Sequence, residues 1–239
     1  MDGYQDLDDL QLGLASQAQA RQRLFGVYPA LVQSIADPDQ QGRVRVRLPW
    51  APDGSGAGYE AWARLATLMA GADRGTWFIP DVGDEVLVAF EGGDPRRPYV
   101  IGALWNGVDA PPEQMDSGEQ NNKKVIVSRN NLRITLDDAQ GQETVTIQTP
   151  GGQVLTLKDG PGQVKIDDSN GNNLTMESAG MTLSTAGKLT IQASTINVTA
   201  GMVSVDAGMS KFSGVVKSDT VITNAVVSAS YTPGAGNIW

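Results

Sequence analysis

The sequence predicts an all-β chain in two parts: a small N-terminal barrel of the OB type, followed by an intertwined, trimeric triple-stranded β-helix. Three observations carry this. Apolar residues alternate with polar ones along most of the chain, the period of half-buried strands. The fourteen aromatic residues are segregated, since only Phe212 lies between Asn106 and Ser230. The 28 glycines, roughly 12% of the chain against a usual ~7%, punctuate β-type sequence at intervals that shorten toward the C-terminus.

The aromatics mark the domain that has a core of its own, because compact domains anchor their interiors with large rings. Residues 24–108 therefore read as the barrel, residues 1–23 as an N-terminal segment and 109–124 as a polar linker opened by Ala110-Pro111-Pro112. Five strands are expected in the barrel. Phe25–Ile35 is the first, stopped by the turn formers Asp37-Pro38-Asp39 and Gly42. Arg43–Leu48 alternates strictly, which sends Val44, Val46 and Leu48 inward and the arginines outward, and Pro49 ends it. Trp62–Met69 and Asp84–Phe90 follow, the latter turning at Glu91-Gly92-Gly93-Asp94. Tyr99, Ile101, Ala103 and Trp105 form one face of the fifth. Five short strands at this spacing suit a Greek-key barrel.

Residues 125–230 read as a shaft. Pairs of apolar residues recur: Leu132/Ile134/Leu136, Val145/Ile147, Leu155/Leu157, Val164/Ile166, Leu174/Met176, Met181/Leu183, Leu189/Ile191, Ile196/Val198 and Val203/Val205. From Gly141 through Gly152, Gly162, Gly171, Gly180 and Gly187 the spacings are 11, 10, 9, 9 and 7, and Gly201 and Gly208 continue in multiples of seven. One such strand buries too little to offset roughly 1–2 kcal/mol of backbone entropy per residue. Stacking in a solenoid is the remedy. A single-chain solenoid needs about three strands per coil, whereas seven-residue units leave about five residues for a strand and two for a turn. Three chains, each giving one face of a triangular prism, fit better. The narrow interior then excludes rings and holds Leu155, Leu157, Val164, Ile166, Leu174, Met176, Leu189, Ile191, Ile196, Val198, Val203 and Val205 as the trimer core. Shortening units taper the prism.

Composition removes most chemistry. The chain has no His and no Cys, so imidazole bases, His-dependent nucleophiles, thiolates and the usual zinc cages are excluded. The carboxylate pairs Asp8-Asp9, Asp84-Glu85, Asp137-Asp138 and Asp167-Asp168 are adjacent in sequence, and neighbours on a strand point to opposite faces rather than across a cleft. No enzyme, cofactor or metal site is expected. With 18 Lys and Arg against 27 Asp and Glu, the net charge of −9 speaks against nucleic acid and anionic membranes as partners. Arg43, Arg45 and Arg47 are the one dense basic row, expected as a solvated or interface face. The acidic N-terminus lacks a signal-peptide pattern, and no apolar run is long enough to span a bilayer.

One series of blocks is specific: Gly42–Trp50 (GRVRVRLPW), Trp62-Ala63-Arg64-Leu65, Pro80–Phe90 (PDVGDEVLVAF), Gly93–Gly102 (GDPRRPYVIG) and Trp105-Asn106-Gly107. It resembles the OB domain of phage baseplate assembly protein V and of valine-glycine repeat (VgrG-type) spikes, and the shaft resembles their triple-stranded β-helix by pattern. The resemblance implies a homotrimeric, structural central spike of a contractile injection machine: a phage tail, tailocin, type VI system or extracellular injection particle. Such a spike assembles in the cytoplasm, acts at the target envelope and meets a membrane only while piercing it.

Departures from the family sharpen the expectation. The segment ahead of the barrel, residues 1–23, is too short for a hub domain, so a separate baseplate hub protein is implied; Leu7, Leu10 and Leu14, a weak helical pattern, are either part of a frayed tail or the contact to that hub. Residues 107–130 are too few to hold an inserted lysozyme domain, and the absence of His precludes a His-x-His iron apex. Aromatics return in the tip segment, residues 231–239. There Tyr231, Pro233, Ile238 and Trp239, in three copies, are expected to form an apolar platform, either a flap that folds back to plug the prism's open end or a seat for a conical tip protein of the proline-alanine-alanine-arginine (PAAR) repeat type. The alternative function is a trimeric β-helical fibre or adhesin that binds surface glycans.

Overall fold

A computed structural model of the chain describes residues 23–51 and 58–230. Within them the regular structure is all β, apart from one short 3-10 turn at Glu91–Gly93. The chain divides into two units, Met1–Gly187 and Lys188–Trp239.

Alternation builds the barrel. In β2 (Val44–Leu48), Val44, Val46 and Leu48 are buried, while Arg45 is exposed and Arg47 half-buried. β1 (Val27–Ser34) buries Ala30 and Val32, and β6 (Glu85–Phe90) buries Val86, Val88 and Phe90. β3 (Tyr59–Leu65) and β7 (Pro98–Ala103) complete a closed barrel in the order β1-β2-β3-β7-β6. The β3–β7 pair is parallel and the others antiparallel. Closure removes the open edges that a five-stranded sheet exposes.

Three sequence-based details are corrected. Rings locate this domain but do not fill it, because aliphatic residues make the core and Phe90 is its one ring. Tyr28 stacks on Trp50 at 4.7 Å outside that core, and the Trp50 indole N–H donates to the Pro29 carbonyl at 2.9 Å. The third strand starts earlier and stops at Leu65, because the chain then turns into a small hairpin, β4 (Ala70–Gly71) and β5 (Arg74–Gly75). The fifth strand turns Tyr99 and Ile101 outward and buries Pro98 and Val100, and it ends before Trp105.

Strand direction gives the barrel two ends. β6 runs from Glu85 to Phe90, roughly 20 Å at ~3.3 Å per residue. At its start lie the β1–β2 turn, the connection from Leu65 to Asp84 and the chain's exit after Ala103. At its finish lie the Glu91–Arg97 turn, the connection from Leu48 to Tyr59 and Leu24, whose N–H donates to Gly93 at 2.8 Å. The chain therefore enters the barrel at one end, through Leu24, and leaves it at the other, after Ala103.

The second sheet is a meander of seven antiparallel strands in sequence order: β8 (Lys123–Val127), β9 (Arg133–Asp137), β10 (Thr144–Gln148), β11 (Val154–Lys158), β12 (Gln163–Asp167), β13 (Asn173–Glu177) and β14 (Gly180–Ser184). It begins two residues before the expected shaft boundary. The Arg129 guanidinium meets the Asp81 carboxylate at 2.9 Å, which ties the β8–β9 turn to the near end of the barrel. Arg133 pairs with Glu113 of the connecting segment.

Candidate functional site

Each strand from β9 to β14 carries apolar residues at its second and fourth positions and polar or small ones mainly at the first, third and fifth. Unbroken register converts that pattern into two apolar columns on one face. One runs Ile126–Ile134–Ile147–Leu155–Ile166–Leu174–Leu183; the other runs Leu136–Val145–Leu157–Val164–Met176–Met181. The second column is headed by Lys124, whose ammonium reaches the Asp138 carboxylate at 2.7 Å and the Asn121 carbonyl at 2.6 Å. Down the middle of the opposite face runs Val125–Thr135–Thr146–Thr156–Lys165–Thr175–Thr182. Lys165 and Asp167 pair there at 2.9 Å.

The turns hold this register. Gly152 and Gly171 both take φ of +86°, a conformation that Cβ-bearing residues rarely adopt. At Gly160 a Cβ would run into the Gly141 carbonyl of the neighbouring turn. Asp168 accepts the backbone N–H groups of Asn170 and Asn172 at 2.8 Å each and the Asn172 side-chain amide at 2.6 Å. Those bonds, the Asn172 side chain first, hold its carboxyl below the usual range. Backbone N–H donation likewise lowers Glu143.

Among the described residues the buried apolar core is confined to the barrel, and no residue of the two columns belongs to it. A one-layer sheet with an open apolar face needs a second layer. Of the predicted trimer core, Leu155, Leu157, Val164, Ile166, Leu174 and Met176 stand together on this face. Leu189, Ile191, Ile196, Val198, Val203 and Val205 belong to the second unit, where residues 188–230 form no strand within the chain and all are exposed, Ile191 at 68% and Val205 at 71%. Strand starts in the meander step by 11, 10, 9, 10 and then 7 residues from β9 to β14. Pairing within the chain ends after β14, although the seven-residue step from β13 to β14 still holds a two-residue reversing turn between paired five-residue strands. Leu7, Leu10, Leu14, Tyr231, Pro233, Ile238 and Trp239 lie outside the described residues.

The basic row is partly neutralised. Arg43 pairs with Asp37 and Asp39, Arg45 lies 3.4 Å from Glu60, and both guanidinium groups sit over the Trp62 ring. No group of three or more Asp or Glu among the described residues is placed to hold a metal ion, and no helix there is long and apolar enough to cross a membrane. Sequence reasoning missed an exposed apolar cluster at Leu68, Met69, Trp77 and Phe78. Its signal was the concentration of large apolar residues in a glycine-containing connection.

Comparison with known proteins adds two family matches. Residues 28–105 match the type VI secretion system/phage-baseplate injector OB domain. Residues 144–210 match the phage baseplate V C-terminal trimerisation domain, which spans β10 to β14 and continues into the second unit. Among curated relatives, the type VI secretion system spike protein VgrG1b of Pseudomonas aeruginosa is 29% identical over 127 residues, 50% of this chain and 17% of its own length. VgrG4b of the same organism is 34% identical over 116 residues, 46% of this chain and 14% of its own length. The actin cross-linking toxin VgrG1 of Vibrio cholerae is 28% identical over 113 residues, 45% and 10% respectively. The chain thus aligns with less than a fifth of the length of each of these relatives.

Proposed function

The chain belongs to the phage baseplate V family, its barrel and shaft matching that family's OB and trimerisation domains, and from that premise we propose that it is the homotrimeric central spike of a contractile injection machine. The observation that carries this reading is the pair of apolar columns, whose residues stay outside the buried core among the described residues. Three such faces closed into a prism cover one another. Beyond Gly187, where pairing within the chain stops, strands from different copies pair and wind around the common axis.

The work is mechanical rather than catalytic. A closed prism has no long free edge, and each strand level adds ladder hydrogen bonds between chains, so axial load is shared among many bonds. The far end of the barrel, where the N-terminal segment departs, faces a separate hub protein, with Leu7, Leu10 and Leu14 in the contact. Tyr231, Pro233, Ile238 and Trp239 seat a PAAR-type tip protein at the other extreme. The trimer assembles in the cytoplasm and is driven through the target envelope on sheath contraction.

Light scattering of the undenatured full-length protein tests the reading. The expected mass is three times the 25.3 kDa of one chain. A folded species of one-chain mass overturns the prism and the spike with it.

A further inference from the structure

The near end of the barrel, from which the shaft departs, carries a groove of about 1120 Å³ with a mixed lining that includes Gln40, Asp73 and Arg74. Leu68, Met69, Trp77, Phe78 and Ile101 line it. Leu68 is 98% exposed, and Trp77 and Phe78 are each 75% exposed. The walls are built rather than loose. The hairpin is closed by the Thr76 N–H donating to the Met69 carbonyl at 3.0 Å, and the Trp77 ring lies against Gly42, where a Cβ would come within 3.2 Å of it. Two large rings held open to water form a patch of the kind that marks an interaction surface.

We propose that a second copy of this chain covers the groove, the neighbour's segment 104–115 lying against Leu68, Trp77 and Phe78. Three observations select that occupant. The groove sits at the shaft end: Phe78 is three residues from Asp81, which Arg129 ties to the first turn of the meander at 2.9 Å. A patch beside that junction is continuous with the trimerisation surface, and the molecule which trimerisation brings closest is another copy. The chain also supplies a matching surface at the same end. Trp105, Val108 and Met115, in the segment leaving β7, are all exposed, so within one chain neither surface covers the other. Finally, the groove lies at the opposite end of β6 from Leu24, where the chain enters the barrel.

The inference rests on the trimer reading, and the test separates the two. The native chain has no cysteine, so single-cysteine variants report without interference. Leu68→Cys is compared with Arg96→Cys in the far-end turn, whose side chain is 79% exposed. Each full-length variant is checked for mass and then labelled with a maleimide. The expected result is a particle of trimeric mass in which Cys at position 68 reacts at least about tenfold more slowly than Cys at position 96. A trimeric particle with equal labelling rates overturns the groove proposal and leaves the trimer standing, whereas a one-chain mass overturns both. The comparison is repeated on a chain lacking residues 1–22. Retained protection supports the second copy; lost protection assigns the cover to the chain's own N-terminal segment and overturns the proposal.

Discussion

Asp37 closes the β1–β2 turn with both carboxylate oxygens. Oδ1 accepts from the Arg43 guanidinium at 2.6 Å and from the Asp39 N–H at 3.1 Å, while Oδ2 accepts from the N–H groups of Gln41 at 2.8 Å and Arg43 at 3.2 Å. Arg43 chiefly, with the backbone donors in support and partial burial opposing, holds the carboxyl well below its ordinary value of 3.8. A group with a depressed folded-state pKa stabilises the protein fully above its unfolded value, and that contribution fades as pH falls toward the folded one. Asp94, lowered to about 2 by Arg96, acts in the same sense over the same window. Replacing Asp37 with Asn should therefore lower Tm at pH 7 and make the loss of Tm between about pH 4 and 2 shallower than in the native protein. Thermal melts at both pH values check this; parallel pH profiles for the two proteins would sink it. The turn-forming role of Asp37 was legible in Asp37-Pro38-Asp39, but its bond to Arg43 was not, because the arginine belongs to a row that reads as uniformly outward.

At the scale of elements, the meander was legible almost strand for strand. A five-residue strand with apolar second and fourth positions fixes its own face, since a one-residue slip would move both residues to the other side. The six trimer-core residues from Leu155 to Met176 consequently share one face. Less legible was the point at which pairing within the chain stops, because Leu189/Ile191 and Ile196/Val198 carry the same alternation as the strands before them. Adjacent residues of β10 test the two faces directly. Ile147→Lys puts three ammonium groups into the apolar interior of a prism, at a cost of several kcal/mol for each unpaired ion, and is expected to abolish the trimer. Thr146→Lys points to the outer face and should keep the trimer, with a stability change within about 0.5 kcal/mol. Mass measurement of both variants decides the matter, and trimers of equal stability would mean that the columns are not the interface.

For the whole molecule, folding and assembly cannot be separate events along the entire length. The barrel has a closed core within one chain, and the meander has its ladder hydrogen bonds, but residues 188–230 have neither a core nor a strand partner of their own. Sequence reasoning could recognise that the shaft needs three chains, because no unit buries enough alone. It could not divide the shaft into a part whose strands pair within one chain and a part, residues 188–230, that forms no strand within one chain. That division makes the order of the second part depend on the trimer. Trypsin reads it out at Lys188, Lys211 and Lys217, all exposed in the single chain. A backbone held in interchain ladders cannot enter a protease cleft without opening, so cleavage follows the population of the open state. The native trimer should resist cutting at these three lysines for far longer than protein dissociated by denaturant and returned briefly to buffer at low concentration, which should lose this segment first. Rapid cleavage at Lys211 or Lys217 in a particle of full trimeric mass would mean that three chains associate without winding their C-terminal strands together. The proposed spike would then lack the interchain bonds that the mechanical reading assigns to it.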